Sequence, residues 1–104
     1  MPRDATAQAF EAIAEPRRRA ILMLVKDEPM SVNDIAEHFD VSQQAVSQHL
    51  KVLREAGVVD MTREGRRHLY VMRPEGLGAI RDFLEELWPA SLARLKDAVE
   101  RDGR

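Results

Sequence analysis

The chain contains no cysteine. That excludes disulfides, thiolate nucleophiles and every thiolate metal site. Its three histidines, His38, His49 and His68, fall in three separate segments with no i, i+4 pair. A zinc or nickel site built from them is therefore not expected. The five glycines are scattered at turns and helix ends, so no glycine-rich phosphate loop is present. No apolar run approaches membrane-spanning length, and the opening MPRDATAQ lacks a signal-type apolar region. The expectation is a cytoplasmic location with no membrane partner. No nucleophile, base and orienting group stand together, and adjacent carboxylates such as Glu85 and Glu86 diverge around a helix. A non-enzyme without metal or cofactor is expected.

An excess of charge of one sign is also missing: 16 basic and 18 acidic side chains give a formal net charge of −2. The distribution is more telling than the total. Residues 43–73 hold Lys51, Arg54, Arg63, Arg66, Arg67 and Arg73 against Glu55, Asp60 and Glu64, a balance of +3. Residues 74–104 hold five basic and seven acidic side chains, a balance of −2. Apolar residues make up 44% and charged residues 33% of the 104. That composition fits one globular, helix-rich domain, residues 1–104, with a modest core.

What is there centres on residues 31–57, SVNDIAEHFDVSQQAVSQHLKVLREAG. Ser31 is an N-cap residue, and Asp34 three positions on makes a weaker form of the capping box. Val32, Ile35, Ala36 and Phe39 follow at helical spacing. Asp40 and Val41 make the turn, Ser42 caps a second helix, and Gly57 stands where a left-handed C′ residue is wanted. At about 100° per residue the second helix divides into two arcs. Ala45, Val46, Leu50, Leu53 and Ala56 form the inner one. Gln43, Gln44, Ser47, Gln48, Lys51 and Arg54 form the outer one. This is the pattern of a helix-turn-helix: glutamine and serine can reach base edges, lysine and arginine phosphates. An ordinary solvated helix face is the alternative, and the flanking segments weigh against it.

Residues 4–14 predict a short amphipathic helix capped by Asp4, with Ala7, Phe10, Ile13 and Ala14 on one side. Pro16 opens a second helix, 16–27, dense in apolar residues. Its first turn carries Arg17, Arg18 and Arg19, where the helix dipole disfavours cations. A solvated charge run and a flanking phosphate contact are equally weighted there. After Gly57, residues 58–73 predict a β-hairpin with a turn at Glu64-Gly65 and a basic tip of Arg63, Arg66 and Arg67. A hairpin in this place is a wing, able to lie along the backbone or minor groove. Residues 75–101 return to helix, with Leu77, Ile80, Leu84, Leu87, Trp88, Leu92, Leu95 and Val99 at spacings of three and four. Pro89 must kink or divide it. The stripe is longer than so small a core needs, which predicts a dimer interface shared with Phe10 and Ile13. His49 is read as a packing or phosphate-bridging residue, and Tyr70 as a core or interface aromatic.

With the element order complete, the sequence resembles the ArsR/SmtB family of bacterial winged-helix transcriptional repressors over roughly residues 6–100. The matching motifs are FEAIAEPRRRAILMLV, DIAEHFDVSQQAVSQHLKVLREAGVV and REGRRHLYVM. The resemblance implies a winged helix-turn-helix, mainly α with one small hairpin, dimerising through its terminal helices. It implies a homodimer that binds a palindromic operator in double-stranded DNA and represses transcription. Family recognition residues carry over onto Gln43, Gln44, Ser47 and Gln48. Ser42, Lys51, Arg54, Arg63, Arg66 and Arg67 are expected on the DNA backbone. Phe10, Ile13, Leu84, Leu87, Trp88, Leu92 and Leu95 are expected at the dimer interface.

The departures carry equal weight. Many members sense metal through cysteines where this chain has SVNDIAEHF. Others use Asp and His on the last helix, where this chain has Asp82, Glu85 and Glu86 but no histidine. The chain resembles the members without the metal-binding cysteines, and any small-molecule or protein effector is left unspecified. An alternative from another class is a winged-helix interaction module whose C-terminal apolar helix docks a partner protein. The basic hairpin tip and the uncharged polar helix face suit DNA better.

Overall fold

Two short helices and the joint between them begin the chain. Asp4 caps the helix Ala5–Ala14, α1, its carboxylate accepting from the Thr6 N–H at 3.3 Å. Glu15 is extended, as the residue before a proline prefers, and Pro16 occupies the first turn of α2, Pro16–Val25. The Glu15 carboxylate accepts from the Arg18 N–H at 3.1 Å and so caps α2. The basic run there has a definite task. Arg18 donates to the carbonyls of Ala12 and Glu11 at 2.7 and 2.9 Å. Arg19 donates to those of Ile13 and Ala14 at 2.7 and 2.9 Å. These are the last four carbonyls of α1, which have no partner within their own helix. Two arginines thus stabilise the negative end of α1, and the unfavourable dipole at the start of α2 is offset by Glu15. The computed structural model describes residues 4–102, apart from the side chains of Ser91, Leu92, Ala93, Lys96 and Asp102.

The third helix, α3, spans Val32–Ala36, shorter than the pattern through Phe39 predicts. Its final turn tightens to i−3 bonds, His38 N–H to Ile35 and Phe39 N–H to Ala36. Phe39 still packs against the core. The capping box forms in full: the Asp34 N–H donates to the Ser31 hydroxyl at 3.1 Å, and the Ser31 N–H donates to the Asp34 carboxylate at 3.2 Å. The fourth helix, α4, spans Gln43–Glu55, with the Ser42 hydroxyl accepting from the Ala45 N–H at 3.1 Å.

At the end of α4 the chain reverses through a Schellman turn. Val58 N–H bonds to Leu53 and Gly57 N–H to Arg54, with Gly57 at φ +77°. Leu53 and Val58, the apolar pair that accompanies this turn, are both fully buried. The core gathers here, with Ile21, Leu22 and Val25 of α2, Ile35 of α3, Val46, Leu50 and Leu53 of α4, and Val58 and Val59.

Strands Val59–Glu64, β1, and Arg67–Met72, β2, pair antiparallel from Val59 opposite Met72 to Glu64 opposite Arg67. The hairpin begins one residue later than expected because Val58 belongs to the Schellman turn. Gly65 and Arg66 form the two-residue loop, with positive φ at Gly65 alone, as a type II′ turn needs. Met30, just before α3, joins the edge of the hairpin through two backbone bonds with Tyr70, at 3.1 and 2.7 Å.

The helical stretch expected over 75–101, kinked or divided at Pro89, is three pieces. A 3₁₀ turn spans Pro74–Leu77, α5 spans Gly78–Leu87 and α6 spans Ala90–Asp102. Pro89 divides the helix rather than kinking it. Trp88 before it takes an extended ψ of 110°, which ends α5. The 3₁₀ turn lies close against the Schellman turn: a Cβ added at Gly76 would stand 2.0 Å from the Gly57 carbonyl oxygen.

Candidate nucleic-acid interface

The two arcs of α4 separate as its periodicity requires. Val46, Leu50 and Leu53 are buried, while Gln43, Gln44, Ser47, Gln48, Lys51 and Arg54 are all exposed. Four uncharged polar side chains therefore line the first two turns of α4, and two cations follow on the same face. Such side chains pair naturally with base edges and with phosphates respectively. Ser42 is exposed, and its oxygen accepts the cap bond, leaving its O–H to donate outward.

Beside α4 stands the hairpin. Ser47, Lys51, Arg54 and Glu55 of α4 and Tyr70 of β2 line a cleft of about 400 Å³. Tyr70 is half-buried and packs partly on the core. Its place in this cleft was not legible in the sequence, because it depends on how the hairpin leans on α4. Arg63 and Arg66 are exposed at the outer end of the hairpin, with His68 opposite Arg63. Among the described residues, Lys51, Arg54, Arg63 and Arg66 have no carboxylate partner, so their charge is available to an external anion.

Arg67 differs from them. Its guanidinium donates to the Asp34 carboxylate of α3 at 2.9 Å. Asp34 is consequently held below the usual carboxylate range, first by the hydrogen bonds from Ser31 and then by the positive charge of Arg67. The sequence marked Asp34 only as a cap; its second partner lies 33 residues away.

His49 is half-buried on the edge of the inner arc. Its Nδ1 lies 3.4 Å from the Arg18 guanidinium and 3.8 Å from the Glu15 carboxylate, so α4 meets the α1–α2 joint there. His38 holds the Asp34 backbone carbonyl at 2.9 Å through its Nδ1.

The apolar stripe lies on the opposite end of the chain. Leu87 is 61% and Leu95 59% exposed, with Leu84 and Trp88 near half. Phe10 of α1 meets Phe83 of α5 edge to face, ring centres 5.5 Å apart. Phe83 is not part of the heptad-like series, which is why the sequence pattern passed over it. Ile13 packs inward on the core. Leu92 falls outside the described residues. No described helix is long and apolar enough to cross a membrane.

A capped helix pair with an exposed polar second helix, followed by a basic hairpin, is a winged helix-turn-helix, the class of DNA-binding regulators. Comparison with known proteins carries this to a family. Residues 15–61 match the bacterial regulatory protein, arsR family. The HTH-type transcriptional regulator Rv2034 of Mycobacterium tuberculosis is 36% identical over 92% of this chain and 90% of its own length. The transcriptional repressor SdpR of Bacillus subtilis is 46% identical over 55% of this chain and 63% of its own. Among solved structures, an ArsR-like transcriptional regulator from Rhodococcus sp. RHA1 superposes with a TM-score of 0.77 at 28% identity, covering 93% of this chain and 92% of that one. A possible transcriptional regulator for arsenical resistance superposes with a TM-score of 0.71 at 38% identity, covering 88% and 95%. The chain belongs to the ArsR family and is a DNA-binding transcriptional regulator, not an enzyme. Having no cysteine, it lacks the cysteine ligands that its resemblance to metal-sensing members would call for.

Proposed function

We propose that the chain is a homodimeric repressor of a palindromic operator, and that its response, if any, does not pass through cysteine-bound metal. The observation that carries the reading is the exposed outer arc of α4, set beside a hairpin whose Arg63 and Arg66 have no carboxylate partner among the described residues. Gln43, Gln44, Ser47 and Gln48 read base edges in the major groove. Ser42, Lys51 and Arg54 hold the flanking phosphates, and Arg63 and Arg66 hold the backbone beside the groove.

Dimerisation rests on α5 and α6. Leu84, Leu87, Trp88 and Leu95 form an apolar series too extensive to be left in water. A two-fold axis through that face, with Phe10 and Phe83 beside it, places two α4 helices in successive major grooves, about 34 Å apart. An isologous interface of this kind demands a two-fold symmetric site. Repression needs no surface beyond these, because occupancy of a promoter excludes other proteins. The name of the relative SdpR, a repressor, supports it.

Sedimentation velocity on wild type and Leu87→Glu tests the reading. Wild type is expected as a dimer that binds duplex DNA. Leu87→Glu is expected as a folded monomer that has lost selective binding. A monomeric wild type that still selects one sequence would remove the dimer from the account. A monomer that fails to bind any duplex would favour a protein-docking role for α5 and α6.

A further inference from the structure

We propose that Arg67 is a positioning residue, whose ion pair with Asp34 latches the outer half of the wing to the start of the helix-turn-helix. The proposal rests on the DNA-binding reading above and reassigns Arg67 from phosphate contact to latch. A two-stranded hairpin is marginal by itself and needs support to hold one orientation. This hairpin is supported twice. At its base, Met30 bonds through the backbone with Tyr70. Three residues further out, Arg67 stands opposite Glu64 on the last rung before the Gly65-Arg66 loop, and its guanidinium reaches Asp34 at 2.9 Å. Among the described residues 62–68, no other side chain bonds to the helices. The carboxylate oxygen that receives Arg67 is the one that accepts from the Ser31 N–H at 3.2 Å. One oxygen therefore fixes both the entry into α3 and the angle of the wing. Without the latch the tip, Arg63 and Arg66, swings about the Met30–Tyr70 bridge and meets the DNA backbone in many orientations.

The latch makes a prediction of unusual sign. An acidic side chain near a DNA-binding face repels phosphate, so its removal by charge alone should strengthen binding. The latch requires the reverse. Asp34→Asn keeps an oxygen to accept from the Ser31 N–H and removes the charge that holds Arg67.

The test is a double-mutant cycle of Asp34→Asn and Arg67→Gln. The probes are a duplex selected by the wild-type protein from a randomised pool and a fixed duplex of unrelated sequence. Each single variant is expected to weaken binding to the selected duplex about fivefold, and the double variant by about the same fivefold, where independent effects would multiply to about 25-fold. Arg67→Lys, which keeps the charge, should stay within about twofold of wild type, and the salt dependence of Arg67→Gln should match wild type. Thermal unfolding of each variant checks that the fold survives. Multiplying effects, tighter binding by Asp34→Asn, or a salt slope lower by about one for Arg67→Gln would overturn the latch and return Arg67 to the phosphates. A wild type that binds no duplex would overturn the DNA reading itself, and the latch with it.

Discussion

Gln44 and Ser47 face outward where α4 begins, with Val46 and Leu50 turned the other way, and base reading is the role proposed for them. Neither carries structural weight in the core, so each can be removed without cost to the fold. Gln44→Ala and Ser47→Ala should each lower affinity for the selected operator by about 1–3 kcal/mol if the contact is close to bidentate, with unchanged thermal unfolding. Equilibrium titration on selected and unrelated duplexes measures it; equal losses on both would deny them base reading. Arg66→Ala should weaken binding to all sequences alike and reduce the salt slope by about one. Asp34 gives a pH prediction. Its carboxyl is held below its ordinary value of 3.8 in the folded chain. The stabilisation it supplies is therefore complete above 3.8 and is lost as pH falls from there through the depressed folded value. Carboxyl-carbon NMR should place the Asp34 midpoint below 3.8, and in Arg67→Gln it should rise only in part, because the Ser31 bonds remain the larger cause. A midpoint at the ordinary value would mean the capping box is not held in solution. At this scale the sequence was most informative where one helix decides the matter. A periodicity of about 100° suffices to turn Gln44 outward. It says nothing of Arg67 or Tyr70, whose neighbours come from distant segments.

The elements are held at their ends more than along their lengths. The α1–α2 joint depends on Arg18 and Arg19 reaching back over the last turn of α1. Arg18→Ala should lower stability by about 1–2 kcal/mol, since it strips two carbonyls of partners at a half-buried helix end. The exposed Arg19 should matter less. Thermal unfolding by circular dichroism measures both, and no change for Arg18→Ala would return the run to a solvated role. These bonds span only five to seven residues, so a basic pair just past an expected helix end was the available signal. Gly76 is a different case. Its contact with Gly57 joins the 3₁₀ turn to the end of α4 across 19 residues of chain, and only the folded backbone reveals it. Gly76→Ala should cost about 1–3 kcal/mol, because the obstructing atoms are backbone and cannot rotate away. Proline was more readable. Pro16, Pro74 and Pro89 each restrict the residue before them, and each stands at the start of a helical element or just before one.

For the whole molecule, two faces of opposite character stand out. One is polar and cationic, made by α4 and the wing; the other is apolar, made by α5 and α6. The net charge of −2 hides the first, because the balance of +3 over residues 43–73 is offset elsewhere in the chain. The order of elements was legible because each has its own signal, a cap, a period or a turn pair. Pro89 marked a break in the last helix, and Phe10 its contact with α1; that Phe83 supplies the partner ring was not legible, since it depends on packing between the two ends of the chain. In the proposed dimer the two faces are joined: a two-fold axis through the apolar one would set the spacing at which the cationic one is used twice. Selection of bound sequences from a randomised duplex pool by the purified wild-type protein measures that directly. A two-fold dimer should select an inverted repeat whose half-site centres lie about 10–10.5 base pairs, one helical turn, or a multiple of it apart. Recovery of a single asymmetric half-site, or of no enriched sequence at all, would contradict it.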